Sequence, residues 1–246
     1  MVSAAGAAAI MLAAASYGLI AAPWGVALGL FLHLSWHVLD GADGDLARLT
    51  GRSSAHGELV DGICDYAGHI VLYVTMGAIA AGQIGGMGWA LMWAAGASRV
   101  VQAAHYEGTR RQYQRAVYDT AWMGSEAPVI NAKGRRHPFV AYYLWLTGLV
   151  VPHGAALQAA SHSPTTRAAL RDAMRQHGEA LLARIGLLSA NYRTLAVGAA
   201  MLVGRPYWYF LFEIVVLGAI LVASLAQVRQ VMARVLVQAG APSTVR

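Results

Sequence analysis

The chain has 246 residues, 57% hydrophobic and only 12% charged, with mean hydropathy +0.48. Soluble domains carry about 25% charged residues, so the composition excludes an ordinary soluble domain and implies an integral membrane protein. The net charge of +6 then gives no reason to expect nucleic acid, because Lys and Arg in such chains mark cytoplasmic loops and meet anionic lipid headgroups.

Ala4–Ala22 is an Ala-rich segment of about spanning length. It has no basic stretch before it and reads as a first membrane helix, not a cleaved signal. Pro23 allows a turn. Trp24–Leu49 reads as a second helix, with His33, His37 and Asp40 on one face by i,i+4 and i,i+3 spacing. Those histidines either support a metal site or hydrogen-bond to neighbouring helices. Glu58–Gly82 reads as a third helix, and residues 83–86 as a turn.

Met87–Ala104 reads as a fourth helix, containing Ser98 and Arg99. A lone intramembrane arginine either faces the bundle interior or snorkels to an interface. His105–Pro138 carries Arg110, Arg111, Arg115, Lys133, Arg135 and Arg136, six of the eighteen basic residues, which assigns it to the cytoplasm. Two crossings separate it from Arg48 and Arg52, so the intervening polar stretch opens on the same side.

Phe139–Ala160 is apolar and broken at Pro152 and His153. Thr165–Arg184 is amphipathic, with Arg167, Arg171 and Arg175 on one face, and reads as an interfacial helix. Ile185–Gly204 and Tyr209–Val231 are long enough to span, with Arg205 and Pro206 between them. Counting every segment gives seven spans and leaves Arg229, Arg234 and Arg246 outside, against the charge rule.

The stretch from Asp40 to Asp65 is DGADGDLARLTGRSSAHGELVDGICD. It holds six of the twelve acidic residues. Carboxylates inside a membrane chain are costly unless paired or bound to cations. Asp40 and Asp43 share one helix face, as do Asp61 and Asp65. Leu49–His56, with Gly51, Ser53 and Ser54, reads as the break between the two helices. Antiparallel packing brings four carboxylates together, a hard-oxygen set suited to Mg²⁺, Mn²⁺ or Ca²⁺ and large enough for two ions. Cys64 lies inside this stretch and is the single cysteine, so no internal disulfide forms; it reads as a small buried filler.

The pattern D-x2-D-G-x2-A-R-x8-G-x3-D-x3-D, met by Asp40, Asp43, Gly44, Ala47, Arg48, Gly57, Asp61 and Asp65, resembles the signature of the CDP-alcohol phosphotransferases. The resemblance implies an all-α polytopic membrane helix bundle with six transmembrane helices and both ends in the cytoplasm. Residues 139–184 are then an interfacial or re-entrant insert within one domain covering 1–246. It also implies a homodimer.

The reaction so implied moves a substituted phosphate from a CDP-linked donor to an acceptor alcohol, releasing CMP. CDP-diacylglycerol is the favoured donor; the alternative is a CDP-linked headgroup with a lipid alcohol as acceptor. By this resemblance Asp40, Asp43 and Asp61 are ligands for Mg²⁺ or Mn²⁺, two ions in all. Asp65 is the general base and also touches the second ion. Asp43, Gly44, Ala47, Arg48 and Gly57 line the nucleotide, with Ser53 and Ser54 as weaker contacts. The ordinary reading of the small residues is helix packing, and that of Arg48 an ion pair with an aspartate.

Arg99, Glu107, Arg110 and Arg193 are the candidates for the acceptor headgroup, joined by Arg111. Family members with phosphorylated acceptors tend to carry an R-A-E element after the fourth helix. Here the comparable stretch is AAHYEG; Glu107 corresponds, but His105 replaces the arginine, which argues against a phosphorylated acceptor. Tyr106 and Trp122 suit a cationic headgroup instead. A divalent-cation transporter is the competing class. Arg48 beside the carboxylates opposes it, since it would repel the cation.

Overall fold

A computed structural model describes residues 2–20, 22–50, 55–119, 138–151, 153–161 and 163–241. Within these the chain is helical throughout, with no strand. The helices are α1 (Val2–Leu19), α2 (Pro23–Leu49), α3 (Ala55–Ile84), α4 (Gly86–Tyr118), α5 (Pro138–Val150), α6 (Gly154–Ala160), α7 (Pro164–Ile185), α8 (Ala190–Leu202), α9 (Tyr207–Leu211) and α10 (Leu217–Gln238). A 3₁₀ turn, Gly186–Leu188, precedes α8, and a π turn, Phe212–Val216, joins α9 to α10.

The boundaries follow local chemistry. Ala, the best helix former, dominates α1. Pro23 occupies the first position of α2, where its missing N–H costs nothing. After α8, Gly204 adopts φ +70. Its N–H donates to the Met201 carbonyl, and the Arg205 N–H donates to the Ala200 carbonyl. That is a Schellman end, followed at once by Pro206, which cannot continue the helix.

Two expected boundaries were wrong. The fourth helix does not stop near Ala104 but runs to Tyr118, because Glu, Arg and Gln are good helix formers and the charges of Glu107–Arg115 do not interrupt it. The segment expected over Ile185–Gly204 is shorter: α7 ends at Ile185, a 3₁₀ turn intervenes, and α8 has 13 residues. Thirteen residues rise about 20 Å, against about 30 Å of bilayer hydrocarbon.

By length and composition, two of the described helices can cross a membrane: Val60–Ile84 and Tyr207–Gln238. Val140–Val150 and Gly154–Ala160 form a third candidate if taken together, bent by 93° at their break, where the sequence placed it. The six-helix count is therefore not established by these criteria. In α2 the reason lies in its last third, where Asp40, Asp43, Asp45 and Arg48 replace apolar residues.

Two compact units emerge. The first comprises residues 1–99 and 190–216. Its core joins Ile10, Ala13, Ala14 and Tyr17 of α1 to Trp36 of α2, Leu72 and Met76 of α3, and Tyr209 and Phe210 of α9. Gly29 lets α2 close on α1, since a Cβ there would lie 2.6 Å from the Tyr17 ring.

The apolar residues of α2 also cover its outside. Trp24, Leu28, Phe31, Leu34 and Val38 form an exposed stripe, with Phe31 66% and Val38 72% exposed. The opposite face buries His33 and Trp36. Polar groups inside and apolar groups outside reverse the pattern of a water-facing helix.

The second unit comprises residues 100–189 and 217–246. In α7, Leu170, Ala173, Met174, Gly178, Leu181 and Ile185 are buried at helical spacing, and Arg167 and Arg175 are exposed. The expected amphipathic face is thus present, packed in a core with Val228, Met232, Val235 and Leu236 of α10. His105 is buried. Its Nδ1–H donates to the Val150 carbonyl at 2.7 Å, and its Nε2 lies 2.9 Å from Ser224 Oγ. The histidine found in place of the expected arginine therefore ties together three helices of this unit.

Candidate metal and active site

The last third of α2 and the first third of α3 meet in the first unit. Asp40, Asp61 and Asp65 each offer one carboxylate oxygen, and these oxygens lie within 4.8 Å of one another. All three residues are half-buried. Like charges this close repel in a medium of reduced dielectric, and a divalent cation relieves that repulsion. An all-oxygen set suits Mg²⁺ or Mn²⁺, so the residues fit the metal expected of them.

Asp43 lies three residues after Asp40 in the same helix; its side chain, with those of Gly44, Ala47 and Arg48, is outside the described residues. Ser53 and Ser54 are also outside them. Gly57 is exposed in the first turn of α3. Spacing therefore brought together the carboxylates of Asp40, Asp61 and Asp65.

A ring of aromatic and imidazole groups supports these carboxylates. The Trp36 indole N–H donates to Asp65 Oδ1 at 2.8 Å. His69 Nδ1–H donates to the carbonyl of Asp65 itself, also at 2.8 Å. The Trp36 ring stands 4.8 Å from that of His69, nearly perpendicular, and 4.5 Å from that of His37. His37 Nε2 and His33 Nε2 lie 2.9 Å and 3.2 Å from Thr194 Oγ1. A hydroxyl carries one hydrogen, so with neutral rings one imidazole accepts from Thr194 and the other donates to it. Of the two sequence readings for these histidines, hydrogen bonding to a neighbouring helix is the one the contacts describe.

Deeper in the same unit lies a second polar group. Arg193 Nε donates to Glu213 Oε1 at 3.0 Å. The Tyr209 hydroxyl donates to Glu213 Oε2 at 2.6 Å, and the Tyr73 and Tyr209 hydroxyls lie 2.9 Å apart. The Arg99 guanidinium sits over the Tyr73 ring, 5.7 Å from its centre. Arg99 therefore faces an interior ring. Arg193, read from sequence as a headgroup candidate, is buried against a carboxylate.

Glu107 and Arg110 belong to the second unit, where they pair with each other at 2.9 Å on an exposed helix face. Tyr106 is half-buried against that unit's core. Trp122, Lys133, Arg135 and Arg136 lie outside the described residues.

Sequence reasoning missed Trp36, His69, Thr194 and Glu213. Glu213 was within reach: it is an isolated acid in the apolar run Tyr209–Val231, and such a residue demands a partner. Trp36 lies one turn before Asp40, on the face already read for its histidines. Thr194 and His69 carried no signal without knowing which helices pack.

No curated protein and no solved structure matches the chain. The profile of the CDP-alcohol phosphatidyltransferases does, over residues 1–170. That match spans α1 to α6 together with the carboxylate cluster at the meeting of α2 and α3, and so the chain belongs to the CDP-alcohol phosphatidyltransferase family, whose members are transferases of substituted phosphate groups.

Proposed function

We propose that this membrane transferase uses CDP-diacylglycerol as donor, hands its phosphatidyl group to a small alcohol, and releases CMP. The observation that carries the proposal is the convergence of Asp40, Asp61 and Asp65 within 4.8 Å, inside a chain whose family transfers a phosphate-linked group from a CDP-alcohol.

In this reading Asp40, Asp43 and Asp61 would hold Mg²⁺ or Mn²⁺, and Asp65 would contribute to a second ion. When bound, the metal neutralises charge on the diphosphate and on the departing CMP. Asp65 accepts the proton of the acceptor hydroxyl as its oxygen bonds to the phosphorus that carries diacylglycerol. The bond from that phosphorus to the CMP oxygen breaks, and CMP leaves with the electron pair. Gly44, Ala47 and Gly57 leave room for cytidine, and Arg48 meets a phosphate.

For the headgroup we retain Arg99, which is only half-buried over Tyr73. Arg193 is enclosed with Glu213, and Arg110 is engaged by Glu107. In this reading the chain crosses the membrane six times, the bent pair α5 and α6 is a re-entrant excursion, and the site opens to the cytoplasm. The clustering of basic residues in 105–138 supports that orientation.

The test is CMP release by purified protein with Mg²⁺ or Mn²⁺. CDP-diacylglycerol is offered serine, glycerol 3-phosphate, inositol, inositol phosphate or choline. In parallel, CDP-choline and CDP-ethanolamine are offered diacylglycerol. Metal-dependent release in the first set is expected; release only in the second reverses the donor assignment.

A further inference from the structure

We propose that Trp36 is a positioning residue for Asp65, fixing one carboxylate oxygen so that the other is presented to the space shared with Asp40 and Asp61. The inference rests on the reading of Asp65 as a reacting group. An aspartate carboxylate turns easily about its last torsion, which has broad, roughly two-fold preferences. A base or ligand that turns spends most of its time badly aimed, and small misplacements of reacting groups are costly. A donor on one oxygen removes that freedom.

Trp36 suits this task because its indole is a donor only. It has no alternative role to switch into, unlike a serine, a histidine or an amide. The N–H to Oδ1 distance of 2.8 Å is that of a well-formed hydrogen bond. The donor is itself immobilised. The ring is 5% exposed. His37 and His69 hold it on two sides. From α1, a Cβ on Gly6 would come within 3.3 Å of its Cδ1, so the α1 backbone closes a third side.

The supporting groups are tied down in turn. His69 is anchored to the Asp65 carbonyl and His37 to Thr194. Trp36 therefore links Asp65 to α1, α2 and α8 together. Its place in the hydrogen-bond order is that of a partner behind a metal-site carboxylate, where substitution typically costs ten- to a hundredfold in affinity or activity.

The experiment compares wild type, Trp36→Phe, Trp36→His and Asp65→Asn in detergent or nanodiscs. Trp36→Phe keeps an aromatic ring and deletes the N–H. We expect kcat for CMP release to fall about ten- to a hundredfold, with KM for the CDP-linked donor within about twofold, and Trp36→His, which restores a ring N–H, to recover part of the loss. A Trp36→Phe enzyme with wild-type kcat overturns the proposal, as does a loss confined to KM.

A second measurement needs neither a Trp36 variant that folds nor turnover. In protein labelled with ¹⁵N in the indoles, one strongly hydrogen-bonded resonance should move upfield in Asp65→Asn, where the charged acceptor is gone. An indole spectrum identical in wild type and Asp65→Asn overturns the proposal. Asp65→Asn with full CMP release would instead sink the role of Asp65, and the inference with it. Loss of activity in Asp65→Asn beside a normal Trp36→Phe defeats the inference alone.

Discussion

Arg193 on α8 and Glu213 in the π turn after α9 form a buried ion pair, 3.0 Å between Nε and Oε1, with side chains 3% and 0% exposed. Glu213 also accepts from Tyr209. Tyr73 approaches the same carboxylate at 3.4 Å. Removing one member leaves an uncompensated charge, which costs about 3–5 kcal/mol. Arg193→Met and Glu213→Leu should each lower stability by that order, and the double substitution should lose much less than the sum. Denaturation followed by circular dichroism in micelles gives the three values; additive losses would show that the two side chains are not coupled.

Asp40→Ala and Asp61→Ala should remove metal ligands. A metal ion contributes several kcal/mol of transition-state stabilisation, so CMP release should fall at least about a hundredfold. Mn²⁺ binding, read by electron paramagnetic resonance, should weaken in parallel. Chelation with EDTA should abolish activity in the wild type, and Mg²⁺ or Mn²⁺ should restore it. Full activity of Asp40→Ala would contradict the metal site.

Asp65→Asn should separate chemistry from binding. Loss of a positioned base costs about 10²- to 10⁴-fold, so turnover should fall by that order while KM for the donor stays within a few-fold. Equal losses in donor binding and turnover would show that Asp65 serves substrate binding and not proton transfer.

Thr194→Val should act through two histidines at once. Its hydroxyl is the partner of both His33 Nε2 and His37 Nε2. Leaving a buried polar group unsatisfied costs about 1–3 kcal/mol. Thr194→Ser, which keeps the hydroxyl, should retain most of the stability. Identical melting of Thr194→Val and wild type would show that water replaces the hydroxyl.

The parts of the molecule legible from sequence are those governed by short-range rules. The meeting of Asp40 with Asp61 and Asp65 followed from helical spacing on either side of a Gly- and Ser-rich break. The α7 face followed from its period, and the break between α8 and α9 from Arg205 and Pro206. The α4 boundary differs because the charged residues after Ala104 end the apolar segment without ending the helix: Glu, Gln and Arg disfavour the bilayer but not the helix. The α8 boundary failed for the opposite reason, since apolar character continued through Gly186–Leu188 while the backbone changed pitch. Trp36 was passed over because a tryptophan in an apolar helix carries no sequence mark that its N–H is engaged. Only the packing of α2 on α3 reveals its partner.

The exposed stripe of α2 has a consequence for how this chain tolerates change. In water-soluble proteins, outward positions accept almost any polar residue and inward positions are restrictive. Here Phe31 and Val38 point outward and are apolar, while His33 and Trp36 point inward and carry hydrogen-bonding atoms. A lysine at the centre of a spanning helix costs about 2.5–3.5 kcal/mol at insertion. On the six-span reading proposed above, in which α2 crosses the bilayer, a selection for expressed protein would therefore reject charge at the most exposed positions of α2. A selection for activity would reject apolar replacements at the most buried ones, and the two maps of intolerance would fall on opposite faces of one helix.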